Sequence, residues 1–414
     1  MKYLLIWLAA FLTLASCTQD HTLTVTVTNP TDIDRNGEMV EISMNQVTET
    51  LQLDDTAQIF IVDADGMEAP YQITYDNKLI FPVSLKAHGS RTYTIRQGVP
   101  TEQSTYVYGS VYPERLDDLA WENDLAAYRL YGPGAAARKQ QLYGYDIWTK
   151  CIPEPVVEER YKNELEGEKY LRNDSLRKAD PEGVRQQYQS LSYHVNHGDG
   201  LDCYAVGPTL GGGTAALMED GRIVYPYCYR EVEILDNGPL RFTVALTYPP
   251  FALGRDSCVV EHRLITLDKG SHLNKTVISY ENLTDPAPLV AGIVLHPGNP
   301  DAYASAEKDI IAYEDPTETA DGSNGHIFVG AVFPHPAEEA GTVPFTAEES
   351  RKLRGHALGH VLARSPYTPL SDFTYYWGSA WSLAGMTSMS AWIDYLKTFS
   401  GKVRQPLEVI VASH

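Results

Sequence analysis

The stretch Tyr193 to Gly207, YHVNHGDGLDCYAVG, sets His194, Asn196, His197, Asp199 and Asp202 among glycines and between Tyr193 and Tyr204. Burying such groups unpaired is costly, so a crowd of them rarely serves packing. Histidine titrates nearest neutral pH and is the natural proton carrier; Asp199 or Asp202 could orient it. Acid/base work or substrate contact, structural hydrogen bonding and metal binding all remain open. The Asp, His and Cys203 side chains lack any recognised zinc-ligand spacing, so no metal is expected. An extended chain would send His194 and His197 to opposite faces, whereas a loop would let them converge.

A second group lies in LDDLAWENDLAAYRLYG, residues 116–132, where Glu122 and Asp124 follow Trp121, and Arg129 and Tyr131 lie downstream. If Trp121 to Tyr131 is one strand, Glu122 and Asp124 point the same way. A carboxylate pair beside an aromatic platform suits a sugar subsite, where acids grip hydroxyls or move protons. The alternative is a solvated acidic edge with Arg129 in a structural ion pair. His296 in VLHPGNP ends an apolar strand, where rim side chains serve function or cap a turn. His356 and His360 in RGHALGH would share a helix face but lack the glutamate of a zinc-protease motif. Trp377 and Trp381 in FTYYWGSAWS, like Tyr145 and Trp148 in LYGYDIWTK, are cleft walls or core. The run GPTLGGG lacks the Lys-Ser/Thr of a phosphate loop; a tight turn or close sheet contact is expected there, and no cofactor.

These side chains need a scaffold, and the patterning is that of β-structure. From His21 to about Gln97, short alternating runs such as LTVTVTNP, QIFIVDADG and RTYTIRQG are separated by turn signals at Asn29-Pro30, Asp65-Gly66 and Asp76-Asn77. Residues 17–104 are therefore predicted to hold a tether and a small N-terminal β domain. Residues 105–414 continue with longer strands, including CVVEHRLITLD and PLVAGIVLHPG, as one large two-sheet sandwich. Within it, residues 153–190 form a charged helical or loop excursion. Ser388 to Phe399 should be a short helix with a Ser cap, stopped at Gly401.

The chain has 414 residues and a formal net charge of −21. Such a field disfavours nucleic acid and anionic membrane surfaces. The 27 Tyr and 6 Trp suit β-surfaces and also sugar faces, where a ring stacks and its polar tip hydrogen-bonds. At the N-terminus, Lys2 precedes an apolar run from Leu4 to Leu14, too short to span a bilayer, and then Ala15-Ser16-Cys17. Residues 1–16 are predicted to be a lipoprotein signal peptide, with lipidation at Cys17 anchoring the mature chain in the cell envelope, on the periplasmic face or the outer surface. The other cysteines, Cys151, Cys203, Cys228 and Cys258, permit a disulfide or four free thiols.

Five stretches in this order, DDLAWENDLAAYRLYGP, YGYDIW, YHVNHGDGLDCYAVGPTLGGG, NGPLRFTVALTY and YYWGSAWS, resemble the Bacteroidetes lipoprotein family labelled "domain of unknown function 4861". The resemblance implies a mainly β fold, a galactose-mutarotase-like supersandwich shared by sugar epimerases, polysaccharide lyases and some glycosidases. It also implies a place in polysaccharide utilisation, often beside enzymes that process uronates. The expectation is a lipid-anchored carbohydrate-active enzyme acting on a uronic-acid-containing glycan fragment as lyase, epimerase or hydrolase. His194 or His197 would carry the proton, with Glu122 or Asp124 as counterpart. Arg129 would meet a substrate carboxylate, a bidentate task suited to Arg, and Trp121 and Trp148 would stack on sugar. Tyr145, Asp199, Asp202, Tyr204, His296 and Trp377 complete the expected substrate contacts. The rival from another class is a non-catalytic glycan-binding lipoprotein using the same groove.

Overall fold

The structure is a computed structural model and describes residues 21–317 and 322–413. The expected signal peptide and Cys17 lie outside the described residues. Among them, no helix is long and apolar enough to cross a membrane.

Alternation dictates the N-terminal sandwich. In Leu23–Thr28, Leu23, Val25 and Val27 are buried while the threonines between them are partly exposed, as a strand with one covered face requires. This strand pairs with Ser90–Gln97 on one side. A second, three-stranded sheet of Arg35–Ser43, Lys78–Leu85 and Gln72–Ile73 supplies Val40, Ile42, Leu79, Phe81 and Val83 to the shared core. The small domain is not made from residues 17–104 alone. The last strand, Glu408–Ser413, returns to the other side of Leu23–Thr28 and completes its five-stranded sheet. Sequence alternation identifies a strand but not its distant partner.

The large domain is the expected mainly β supersandwich. Its nine-stranded sheet is built around Arg241–Thr247, Asp256–Asp268, Leu273–Glu281, Phe373–Trp381, Ile327–Val332 and Ile310–Asp315. It shares one continuous core with a five-stranded sheet centred on Gly212–Glu219, Ala287–Leu295 and Gly359–Tyr367. That core encloses a buried ion pair, Arg263 with Glu261. Arg263 also donates to the Tyr145 hydroxyl and to the Ala215 carbonyl, each at 2.8 Å. Buried charges persist only when so fully partnered.

The other expectations meet varied outcomes. Residues 153–190 form helices Val157–Arg172, Asp174–Ala179 and Pro181–Gln189. The C-terminal helix has the expected Ser388 cap but runs on through Gly401 to Arg404. Packing makes Gly401 a helix residue: a Cβ there would lie 2.9 Å from Ile33 of the small domain. His356 and His360 do not share a helix. His356 sits in a turn at φ +70°, and His360 lies in the strand Gly359–Tyr367. The glycine run makes close sheet contacts, since a Cβ on Gly211 would meet the Tyr145 carbonyl at 2.4 Å. Cys151, Cys228 and Cys258 are free thiols.

Candidate functional site

The site begins with a hairpin. Residues 121–131 are not one strand: Asp118–Glu122 turns back into Ala127–Leu130. The turn is fixed by Asn123, whose side chain accepts from the N–H groups of Leu125 and Ala126 and donates to the carbonyls of Asp268 and Ser271. This separates the carboxylates expected to act together. Glu122 is fully buried, 2.7 Å from Lys150, and accepts from the backbone N–H groups of Val156 and Val157 at the entry of helix Val157–Arg172. Asp124 accepts from the N–H of Gly270 and lies 3.8 Å from Lys269.

The expected aromatic walls are interior as well. Trp121 is 0% exposed, packed against Phe242, Tyr128 and Trp377, and its indole N–H donates to Asn274. Tyr145 stacks on Trp377 at 3.9 Å; Trp377 and Trp381 belong to the same core. Trp148, also buried, offers its face to the Arg129 guanidinium at 5.0 Å, a cation–π contact rather than a sugar platform.

What gathers instead is a polar nest around Arg129. Its Nε donates to Asp146 at 2.7 Å and its Nη2 to Asp202 at 3.0 Å, while Tyr131 and Tyr193 place their hydroxyls at 3.2 and 3.4 Å. The guanidinium is thus already committed to internal carboxylates and is not free to clamp a substrate. Burial pushes the Asp146 carboxyl up against the pull of Arg129, and the nearby charge of Asp202 adds to the rise. Asp118, hydrogen-bonded to Tyr161 at 3.3 Å, is raised to about 6, again mainly by burial. Two carboxyls moved toward neutral pH by desolvation are a functional-site signature, although structural networks share it.

The glycine-framed segment is a loop that closes this nest. Asp202 pairs with Trp148 in an isolated antiparallel bridge, and its N–H donates to the Tyr193 carbonyl at 2.8 Å. Gly200, at φ +111°, makes the approach possible, since a Cβ there would strike the Thr149 carbonyl at 2.2 Å. The two histidines do not converge. His194 has Nδ1 3.1 Å from the Asp202 carbonyl oxygen and 3.7 Å from its carboxylate. A carbonyl only accepts, so Nδ1 carries the proton and Nε2 is the acceptor. The side chain is 53% exposed, presenting that nitrogen to solvent. His197 instead donates through Nε2 to the Ser192 carbonyl and lines a separate cavity of about 430 Å³ with Asp199 and Arg160. Asp199 is held there by Arg160 at 3.2 Å.

A second histidine–aspartate pair lies nearby. His296 directs Nδ1 to Asp315 at 2.5 Å, and its ring meets the edge of Tyr204 at a centroid distance of 5.6 Å. Tyr204 follows Asp202 by two residues, which in extended chain places both on one side. Burial above all, and then the negative charges of Asp315 and Asp146, hold its phenol far above the usual tyrosine range. Tyr204 thus lies between the His296–Asp315 pair and Asp146 of the Arg129 nest.

Asp146, Asp315, Tyr193 as a hydrogen-bonding partner, and Arg115 were not singled out from the sequence. Asp146 and Asp315 had a detectable signal: each is an acid in or ending an apolar strand (YDIW, IIAYED). Arg115 donates to the Tyr193 hydroxyl at 2.7 Å, is 27% exposed, and has a buried Nε without a hydrogen-bond partner. Among the described residues, no group of three or more His, Cys, Asp or Glu could hold a metal ion.

Fold and site together describe a β-supersandwich protein with two histidine–aspartate pairs, His194 with Asp202 and His296 with Asp315. Residues 27–409 match the family described as "Domain of unknown function (DUF4861)", and the chain belongs to that family. It is 25% identical over 429 residues to "Uncharacterized protein P7" of Formosa agariphila, covering 99% of this chain and 98% of that protein. Two solved structures from Enterococcus faecalis, an alpha-mannosidase and a protein of glycosyl hydrolase family 38, align at 8% identity with TM-scores of 0.45 and 0.43. They cover 94% and 95% of this chain, which spans about half their length, 46% and 47%.

Proposed function

We propose that the chain is a carbohydrate-active enzyme of the cell envelope, anchored at Cys17, that moves a proton on a uronic-acid-containing glycan fragment. The observation that carries this reading is the geometry of His194. Its Nδ1–H is anchored on the Asp202 carbonyl, and its Nε2 lone pair faces solvent. The Asp202 carboxylate at 3.7 Å supports the imidazolium that forms when Nε2 takes a proton. An aspartate that fixes the tautomer and stabilises the charged ring is the arrangement general-base histidines use.

The proton beside a sugar carboxylate is acidic only if the charge left on that carboxylate is met by a cation. Arg129 is spent on Asp146 and Asp202, so we assign this role to the partly exposed Arg115, which donates to the Tyr193 hydroxyl and lies 3.6 Å from Glu168, the carboxylate a substrate would have to displace. The proton counterpart moves from Glu122 and Asp124 to the His296–Asp315 pair. Return of a proton to the sugar carbon gives an epimerase; delivery to a departing glycosidic oxygen gives a lyase.

The test is turnover of saturated and unsaturated uronate oligosaccharides by purified protein, followed by ultraviolet absorbance and chromatographic mobility. His194→Ala should reduce turnover by about 10²–10⁴-fold, the usual worth of a positioned acid or base. Clear binding with no turnover of any such oligosaccharide would sink the enzyme reading in favour of a glycan-binding lipoprotein.

A further inference from the structure

Away from this nest, on the opposite face of the nine-stranded sheet, lies a groove of about 1000 Å³. Its floor is a cross-strand row of outward side chains, Thr243, Thr266, Lys275 and Tyr376, set side by side by the strand register. One wall is the small domain, with Glu41 and Lys78; the other is helix Met389–Arg404, with Phe399 and Lys402. The volume is at the upper end for small-molecule sites. The small domain and the C-terminal helix therefore do more than cap the sheet edge: together they make a trough.

The trough has a definite chemistry. Its cations and anions mostly cancel: Glu41 is taken by Lys78 and Arg241, Asp268 by Arg241, and Asp34 by Lys86. Glu38, the carboxylate nearest in effect to Lys402, is held by Arg35 at 3.0 Å. Lys275 and Lys402 have no ion pair, against one unpaired carboxylate, Asp394, among the described residues lining the groove. The lining as a whole holds five cations against six carboxylates, close to balance in a chain of net charge −21, and Lys275 and Lys402 are the two cations in it left without an ion pair. Aromatic rings stand beside both lysines. Tyr376 is the register neighbour of Lys275, Lys402 lies three residues beyond Phe399 on the same helix face, and the two rings meet at 5.1 Å.

We infer that this groove is a second saccharide-binding site, selective for sugars that carry an anionic group. Tyr376 and Phe399 supply the apolar face on which a sugar ring lies, and Lys275 and Lys402 meet its carboxylate or sulfate. The site holds an acidic glycan while another part of the chain reaches the histidine pairs. It does not depend on the catalytic assignment, because its readout is binding.

Calorimetric titration of the full chain with tri-galacturonate, its fully methyl-esterified form and a monosulfated galactose disaccharide tests this. The His194→Ala variant serves as background to remove turnover; binding at the first site persists in it, and the lysine substitutions report the groove alone. Tri-galacturonate is expected to bind more tightly than the neutral ester. Lys275→Ala, at an exposed position where folding is not at stake, should weaken binding about tenfold, the worth of one charge-assisted hydrogen bond. Lys402→Gln should do the same. If the sulfated sugar shows the same lysine dependence the shared anion is what is read; if it does not bind, the carboxylate is. Equal affinity for acid and ester, or unchanged binding in both lysine variants, would overturn the proposal.

Discussion

Replacing Glu122 by alanine distinguishes a structural carboxylate from a catalytic one. In the native fold its oxygens serve the Lys150 ammonium at 2.7 Å and the N–H groups of Val156 and Val157 at 2.9 and 2.8 Å, with no exposure on either charged side chain. Removing one member of a buried pair leaves the other charge uncompensated and costs about 3–5 kcal/mol. Here two backbone donors at the entry of helix Val157–Arg172 are orphaned too, so the upper part of that range is expected. At about 2 °C per kcal/mol for a domain of this size, the melting temperature should fall by roughly 8–10 °C. A Glu122→Ala/Lys150→Met double variant should recover part of the loss, because an apolar pair replaces a stranded ammonium. Differential scanning calorimetry on the three variants and the parent measures both effects. A Glu122→Ala protein that melts with the parent yet loses activity would refute the structural assignment and return Glu122 to the reaction.

Two further predictions concern pH. Asp118 is raised from 3.8 to about 6 by burial, so its contribution to stability is fully present below pH 3.8 and is lost as pH rises through about 6. Asp118→Asn keeps the bond to Tyr161 without the charge and should raise the melting temperature at pH 7.5 but not at pH 4; an equal shift at both would contradict this. His360 is depressed from 6.5 to about 3 by burial, with its Nε2 accepting the Leu210 N–H at 3.1 Å. Its contribution is therefore present above pH 6.5 and is lost as pH falls toward 3, so His360→Gln should flatten the acid limb of a stability–pH curve measured by urea unfolding.

The β architecture was legible because its signal is local. LTVTVT reads as a strand with one buried face, and it is one; the charged run at 153–190 reads as a surface excursion, helical or loop, and it is helical. What failed were inferences needing a partner far along the chain. Strand Glu408–Ser413 completes the N-terminal sheet across nearly the whole sequence. WENDLAAYR looked like one strand because nothing local reveals that Asn123 reaches Asp268 and Ser271 to make a turn. Trp121, Glu122 and Arg129 looked like a sugar subsite because residue type does not disclose burial; each is fully partnered inside. The glycine-framed loop was found because its polarity is anomalous whatever it packs against. The counterpart proposed for it, His296 with Asp315, joins the end of one strand to another whose proximity no spacing encodes.

The central claim is that His194 Nε2 removes a proton next to a sugar carboxylate, and isotope exchange tests that step most directly. Incubation of uronate oligosaccharides with the protein in D₂O, followed by proton NMR and mass spectrometry, should show deuterium entering substrate or product at the carbon beside the carboxylate. The account predicts that His194→Ala abolishes this incorporation while the protein still folds and still binds the oligosaccharide. Incorporation that persists at the parental rate in His194→Ala, or none in the parent despite binding, would contradict it.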